Sequence, residues 1–345
     1  MNLFPSHITL NGRPTAVANL LRQQAKADWE QEWLDFLAEW YAPQDFIEVN
    51  TSGSTGTPKT IRLTKEFVAA SAQRTLHFFK LKKDDRVLHC LPTRYIAGKL
   101  MVVRALVGQL DLHVIDPASD FQLLKNESFQ FAAMVTNQVH KLLDNGVTTN
   151  LEFLLIGGSA VPQPLTDQLQ KVSTACYSSY AMTETATHIA LRKLNGEDKD
   201  EFYHALDGIE LSLSNEGCLQ IQMAGLENNF IQTTDLAELV DSKTFKILGR
   251  SDHVIISGGI KFIPEKLEQK LEPYLPFPFL ITSRPHEKLG QQLVLLVEAS
   301  ESPESMAKLT AICQQQLDKF ERPRAIEFTK TLPRTPNGKI LRKGQ

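Results

Sequence analysis

The sequence has little of what would tie it to a membrane, an oxidising compartment or a polyanion. Its four cysteines, Cys90, Cys176, Cys218 and Cys313, stand far apart, with no C-x-x-C pair and no neighbouring histidine cluster. That spacing excludes a disulfide scaffold and a zinc ribbon and fits reduced thiols in the cytoplasm. No apolar run approaches the ~18 residues of a membrane helix. The opening MNLFPSHITLNGRP lacks the basic start and apolar centre of a signal peptide. A formal charge of -3 over 345 residues leaves no cationic excess for nucleic acid or an anionic lipid surface. The chain reads as cytosolic and long enough for one large domain and a small one. Nothing in the pattern marks an oligomeric interface.

Against that background one stretch stands out: TSGSTGTPK, which runs from Thr51, Ser52, Gly53, Ser54, Thr55 and Gly56 to Lys59. It lies between strand-like residues 46–49 and 60–64. Glycine permits the left-handed dihedrals that turn successive backbone N–H groups inward, hydroxyls add donors, and Lys59 adds a full charge. It is not a Walker A loop, because Gly53 and Gly56 are three apart and a strand follows. Composition alone leaves two readings open, an anion-binding loop or a solvent-exposed turn with a solvated lysine.

The rest of the chain reads by period. Residues 8–10 before Asn11-Gly12 predict a strand and tight turn. Residues 14–40 predict a helix with Leu21, Ala25, Trp29, Trp33 and Trp40 on an apolar face, core rather than ligand platform. A helix over 66–79, a buried strand over 86–92, strands within 112–135, a helix over 136–145 opened by a Thr136 cap, and a strand over 153–161 follow. This alternation predicts an α/β core. Residues 210–223 predict a hairpin turning at 215–217. Beyond it come a helix over 264–272 with proline in its first turn, strands over 279–282 and 292–298, a helix over 303–319 and a strand over 325–329, a compact α+β unit.

The loop and the blocks after it resemble, in order, the signatures of the adenylate-forming superfamily, the AMP-binding acyl- and aryl-CoA synthetases. The resemblance implies that TSGSTGTPK is the phosphate loop. LPTRYIAGK (residues 91–99) is similar to the acyl-pocket turn, with Tyr95 at the usual histidine position and Gly98 retained. Arg94, Lys99 and Arg104 are then either carboxylate-binding cations or charges on a helix surface. Gly157 and Gly158 lie against the adenine, or form a plain strand-to-helix turn. In YSSYAMTETATH the resemblance implies that Tyr180 flanks the adenine, Thr183 binds phosphate and Glu184 holds Mg2+. His188 either faces the acyl group or is a structural histidine. Asp235, preceded by Thr234 instead of the usual glycine, corresponds to the ribose-binding carboxylate, with Arg250 assisting. Asp252 corresponds to the hinge, Gly258 and Gly259 to the backbone that receives the pantetheine arm of CoA, with Lys261 beside it, and Lys339 in LPRTPNGKILRK to the catalytic lysine.

The implied fold is α/β: an adenylate-forming-enzyme-like large N-terminal domain over 1–249, shortened at its start, a hinge over 250–252, and a small mobile α+β C-terminal lid over 253–345. About fifty residues precede the loop, fewer than members usually carry, which touches the acyl pocket and not the nucleotide motifs. The implied activity is ATP- and Mg2+-dependent conversion of a carboxylic acid to an acyl-adenylate, then to a CoA thioester. Within the superfamily the YIAGK segment, the cation-rich turn and the short chain are most similar to o-succinylbenzoate-CoA ligases of menaquinone synthesis. An aromatic acid with two carboxylates suits Tyr95 with Arg94, Lys99 or Arg104. Two alternatives stand beside this, a ligase that delivers its acyl group to a carrier protein and a degenerate nucleotide-binding regulator. The joint presence of Lys59, Glu184, Asp235, Arg250 and Lys339 opposes the second.

Overall fold

Asn11 and Gly12 both take positive φ, 50° and 75°, the combination that a two-residue hairpin turn requires. They join strand β1 (His7–Leu10) to β2 (Arg13–Ala16). The computed structural model describes residues 2–50, 59–122, 125–146, 150–334 and 340–342. The expected phosphate-loop residues Thr51, Ser52, Gly53, Ser54, Thr55 and Gly56, and Lys339, therefore lie outside the described residues.

The helix expected over 14–40 is two. Pro14 sits in β2, a short α1 (Val17–Leu20) follows, and only α2 (Asp28–Tyr41) is long. The reason lies between them, where Leu21, Arg22, Gln23 and Gln24 are exposed and bury nothing that could hold a helical turn in place. The apolar face survives in α2 as Trp33, Phe36, Leu37 and Trp40. The Trp40 indole N–H donates to the Leu3 carbonyl at 3.0 Å.

Strands β3 (Phe46–Asn50) and β4 (Thr60–Thr64) pair antiparallel. Then come α3 (Lys65–Phe78), capped by the Thr64 hydroxyl accepting the Phe67 N–H, β5 (Arg86–His89), α4 (Ile96–Gly108), β6 (Asp111–Val114), β7 (Phe129–Val135), α5 (Thr136–Asp144), β8 (Leu151–Gly157), α6 (Gln163–Leu169), β9 (Ala175–Ala181), β10 (His188–Lys193) and β11 (Tyr203–Ala205). Among the described residues their sheet runs β11-β10-β9-β8-β7-β5-β6-β1-β2. Its centre is parallel, from β9 through β8, β7 and β5 to β6. Near-continuous apolar strands such as FQFAAMV bury both faces, as parallel strands must. Thr136 does not cap α5. Val135 holds the cap position, and the Gln138 carboxamide oxygen accepts the Val135 N–H while its NH2 donates to the Cys90 and Pro117 carbonyls.

The remaining strands are β12 (Ile209–Leu213), β13 (Cys218–Met223), β14 (Phe230–Leu239) and β15 (Thr244–Arg250), adjacent in that order. After them come β16 (Ile255–Ser257), β17 (Ile260–Phe262), α7 (Pro264–Leu271), β18 (Phe279–His286), β19 (Gly290–Glu298), α8 (Pro303–Gln316) and β20 (Ala325–Thr329). The last group forms a sheet ordered β17-β16-β19-β18 with β20 parallel on β19. Ile255, Leu267, Leu271, Ile281, Leu295 and Leu309 fill its core. Two compact units result: Met1–Ile209 with Met223–Asn229, and Glu210–Gln222 with Phe230–Gln345. Among the described residues no helix is long and apolar enough to cross a membrane.

Gly98 sits in the first turn of α4, where a Cβ would meet the Pro92 carbonyl oxygen at 2.2 Å and that of Leu91 at 2.9 Å. Only glycine lets the helix start this close beneath the preceding turn. Gly98→Ala is expected to destabilise the protein by about 1–3 kcal/mol, measured as a lower urea midpoint at unchanged slope.

Candidate active site

Because β5, β7, β8 and β9 are mutually parallel, their carboxyl ends open on one edge of the sheet, the edge where α/β proteins bind ligands. Gly157 closes β8. A Cβ there would lie 3.0 Å from the Ser179 hydroxyl, and Gly158 next to it has φ 89°. Tyr180, near the end of β9, is half-buried, with its ring edge-on to Tyr203 at 6.2 Å. The Tyr203 hydroxyl in turn lies 3.0 Å from that of Ser178. The two rings meet edge to face, with Tyr180 at the same sheet edge as the glycine turn.

Residues 182–187 join β9 to β10 as a turn knotted by Thr185. Its buried hydroxyl donates to the Thr187 carbonyl at 2.7 Å, with the Met182 carbonyl at 3.1 Å, and accepts the Met182 N–H at 3.3 Å. Ala186 is held at φ 64°, a strained conformation for a residue with a Cβ. The knot leaves Thr183 half-buried and Glu184 exposed at the tip. Among the described residues no three His, Cys, Asp or Glu side chains gather as a metal cage. A single exposed carboxylate beside a hydroxyl fits Mg2+, which takes one or two protein oxygens and completes its shell with phosphate and water. Lys59, exposed, stands at the entry to β4.

His188 is buried, with ring nitrogens facing the Thr75 hydroxyl at 3.2 Å and that of Thr187 at 3.4 Å. Desolvation, with the charges of Arg104 and Arg74 near it, pushes its pKa well below 6.5 and keeps the ring neutral. Arg104, from the third turn of α4, is 1% exposed. Its guanidinium meets the Met101 sulfur at 3.3 Å and the Phe131 ring at 5.8 Å, its Nε has no partner among the described residues, and burial pushes it down to about 9. Arg74 on α3 likewise has Nε and one terminal nitrogen buried and unpartnered. Lys99 differs. Its ammonium donates to the Glu39 carboxylate at 2.5 Å and the Glu48 carbonyl at 2.9 Å, fastening α4 to α2 and β3. Arg94 is exposed, pairs with Glu32 at 2.7 Å and lies over the Tyr95 ring at 5.0 Å. Tyr95 itself is half-buried just ahead of α4.

The structure thus brings Gly157, Gly158, Tyr180, Thr183, Glu184 and His188 to one sheet edge, with Tyr95 on the segment that leaves β5 at the same edge. Arg74, Thr75, Thr185 and Tyr203 were not singled out from the sequence. For Arg74 a signal existed, since it lies next to Thr75 and three residues after Ser71, both buried on α3.

In the second unit Asp235 and Arg250 are register partners on β14 and β15, their side chains 3.7 Å apart. Arg250 forks onto Asp252 with bonds of 2.9 and 2.8 Å, which holds the Asp252 carboxyl below its usual range. Gly258 and Gly259, at φ 58° and 83°, make the β16–β17 turn. The Gly258 N–H is bound to the Leu289 carbonyl, and a Cβ at Gly259 would meet open space. Lys261 is exposed on β17.

The family model of AMP-binding enzymes matches residues 8–215, and that of the AMP-binding enzyme C-terminal domain matches residues 280–339. The chain is 27% identical over 318 residues to the 2-succinylbenzoate–CoA ligase of Lactococcus lactis, covering 86% of this chain and 70% of that one. It is 26% identical over 347 residues to the 2-succinylbenzoate–CoA ligase of Bacillus cereus strain Q1, covering 89% and 71%. Among solved structures, an acyl-CoA synthetase (AMP-forming)/AMP-acid ligase II-like protein from Dyadobacter fermentans superposes with a TM-score of 0.65 at 33% identity, covering 94% of this chain and 96% of that one. The o-succinylbenzoate CoA synthetase of Bacillus subtilis in complex with ATP and magnesium superposes at 0.73, with 20% identity and 86% and 68% coverage, and shares the fold. With a family match over more than half of its 345 residues, the chain belongs to the AMP-binding enzyme family.

Proposed function

We propose that the protein is an AMP-forming acid–CoA ligase whose acid carries a second carboxylate, o-succinylbenzoate being the acid suggested by the names of its relatives. The observation that carries the substrate reading is Arg104. A guanidinium buried without a counter-charge among the described residues costs several kcal/mol, and the charge of a second one, Arg74, with Nε and one terminal nitrogen buried and unpartnered, acts on the same neutral His188. A carboxylate entering between them would be held by charge-assisted, bidentate bonds, with Tyr95 at the rim. Lys99, whose bonds go to Glu39 and Glu48, holds the helix and not the ligand in this reading.

The reaction has an electrostatic problem. A carboxylate must attack the α-phosphate of an anionic nucleotide, and two like charges ~4 Å apart at an effective dielectric of ~20 repel by roughly 4 kcal/mol. In this reading Gly157, Gly158 and Tyr180 hold the adenine, Asp235 and Arg250 the ribose, and the 51–56 loop with Lys59 and Thr183 the phosphates. Glu184 would hold Mg2+, which polarises the phosphate oxygens when bound. Lys339 supplies a cation at the attacking and bridging oxygens, so that pyrophosphate leaves with the α–β bond and an acyl-adenylate remains. The thiol sulfur of CoA then adds to the acyl carbonyl and AMP leaves. Gly258 and Gly259 let the pantetheine backbone approach, Lys261 flanks it, and rotation at Asp252 separates the two steps. Four free cysteines, all buried, suit a reducing cytoplasm, where ATP and CoA are available.

The test is an assay with MgATP, CoA and a panel of mono- and dicarboxylic acids, following pyrophosphate and acyl-CoA separately by mass spectrometry. Both products with o-succinylbenzoate are expected. Pyrophosphate without thioester would transfer the reading to a carrier-protein acceptor, and neither product from any acid would sink it. Lys339→Ala should lower adenylate formation about 10²–10³-fold, the loss typical of one transition-state donor. Arg104→Gln should raise KM for the dicarboxylate about 10–100-fold, from hydrogen bonds to charge of roughly 1.5–3 kcal/mol, and leave monocarboxylic acids within about threefold. Equal losses for both classes would remove Arg104 from acid recognition.

A further inference from the structure

Glu265 stands in the first turn of α7, a helix fixed to its core by Leu267 and Leu271. Its carboxylate reaches back over the segment that joins β15 to β16. One oxygen lies 2.5 Å from His253 Nδ1. The other rests on Gly249, where a Cβ would meet it at 2.5 Å and the Ile263 side chain at 2.4 Å, and it is buried with no hydrogen-bond partner among the described residues. The two contacts fall on either side of Arg250, Ser251 and Asp252. Burial alone would push the Glu265 carboxyl up, but the His253 bond and the charge of Arg342, whose Nε is 3.6 Å away, hold it below its usual range. It is therefore ionised. Arg342 is itself tied to this helix, since its terminal nitrogens donate to the Ile281 carbonyl at 2.8 Å and to the Glu268 carboxylate one turn further on.

Arg250 is the functional group inside the bracket. Its backbone is in register with Asp235 on β14, next to the pair formed by Gly249 and Leu236. Its guanidinium forks onto Asp252 at 2.9 and 2.8 Å and stands 3.7 Å from Asp235. Two routes run from Glu265 to this guanidinium. One passes through Gly249 to the Arg250 backbone, the other through His253 and the adjacent Asp252 to its side chain. The fork alone is a weak fixture, because the Asp252 side chain is 38% exposed and open ion pairs hold little. A carboxylate on a packed helix is a firmer one.

We infer that Glu265 is a positioning residue: it brackets residues 249–253 and so sets where Arg250 presents its guanidinium beside Asp235. This rests on the ribose role proposed for Asp235 and Arg250 above. Adhesion alone does not account for the contact. A carboxylate oxygen buried without a partner weakens the attachment of α7 to β15. What it supplies is a fixed separation between the helix and the Arg250 backbone, and Gly249 is what lets the two come so close.

The experiment measures binding of Mg-ATP and of Mg-2′,3′-dideoxy-ATP by isothermal titration calorimetry to the unaltered protein, Glu265→Ala, Glu265→Gln and His253→Ala. The unaltered protein should prefer ATP by about 10–100-fold, the scale of hydrogen bonds to charged groups. Glu265→Ala should bring that preference within about threefold by weakening ATP, while the dideoxy nucleotide, which has no ribose hydroxyls to hold, stays within about twofold. His253→Ala cuts one of the two routes and should remove part of the preference. Glu265→Gln keeps the shape and an acceptor and should retain most of it. An unchanged preference in Glu265→Ala, or in His253→Ala should the first variant not fold, would overturn the role. So would an equal loss for both nucleotides, the mark of a merely structural residue. If the unaltered protein binds the two nucleotides equally, or neither, the ribose reading fails and the positioning role fails with it. A preference that is present in the unaltered protein and kept in the variants removes Glu265 alone.

Discussion

A guanidinium at 1% exposure, with no carboxylate beside it among the described residues, sets the terms for the first unit. Arg104 cannot be held there by solvent, and the cost of desolvating it is several kcal/mol. The Met101 sulfur and the Phe131 ring offset part of that cost. The rest of the site follows from keeping further charge away. His188 stays neutral, and Thr75 on the facing helix α3 supplies a hydroxyl, not an ion, to its ring. Two cations on one helix are thus answered differently: Lys99 has Glu39, and Arg104 has none.

Much of this architecture was legible in the chain. Strand periods, the Asn11-Gly12 turn and Pro264 opening α7 are local signals, and local structure obeyed them. The failures were of two physical kinds. Over 14–40 the spacing of Leu21 and Ala25 continued a helical face, but the polar residues around them bury nothing, so the chain breaks. At Thr136 the residue type suited a cap, yet Gln138 provides the bond because its side chain also ties down the Cys90 and Pro117 carbonyls. A residue that ties two distant carbonyls as well as the nearby Val135 N–H leaves no mark at any one spacing.

The site shows the same limit more sharply. Lys99 and Arg104 were equivalent cations in the sequence. What separates them is Glu39, sixty residues away from Lys99, on a different helix. Thr185 lies inside the block whose neighbours Thr183 and Glu184 were singled out, and its function is to knot the turn that presents them. Motif resemblance finds groups that meet the ligand. Groups that hold those groups in place emerge only from burial and hydrogen-bond direction.

The second unit uses ion pairs of two strengths, and their placement has a logic. Arg250 and Asp252 form a fork across two residues of the Ser251–His253 turn, with the Asp252 side chain 38% exposed. A pair so open to water is worth about 0–1 kcal/mol, so it can orient the turn without opposing a rotation there. The tail pair is the reverse. Glu268 and Arg342 are each 19% exposed and share backbone partners, so opening them strands a buried carboxylate at a cost of about 3–5 kcal/mol. A weak pair thus sits at the Ser251–His253 turn, and a stronger one joins Arg342 to α7.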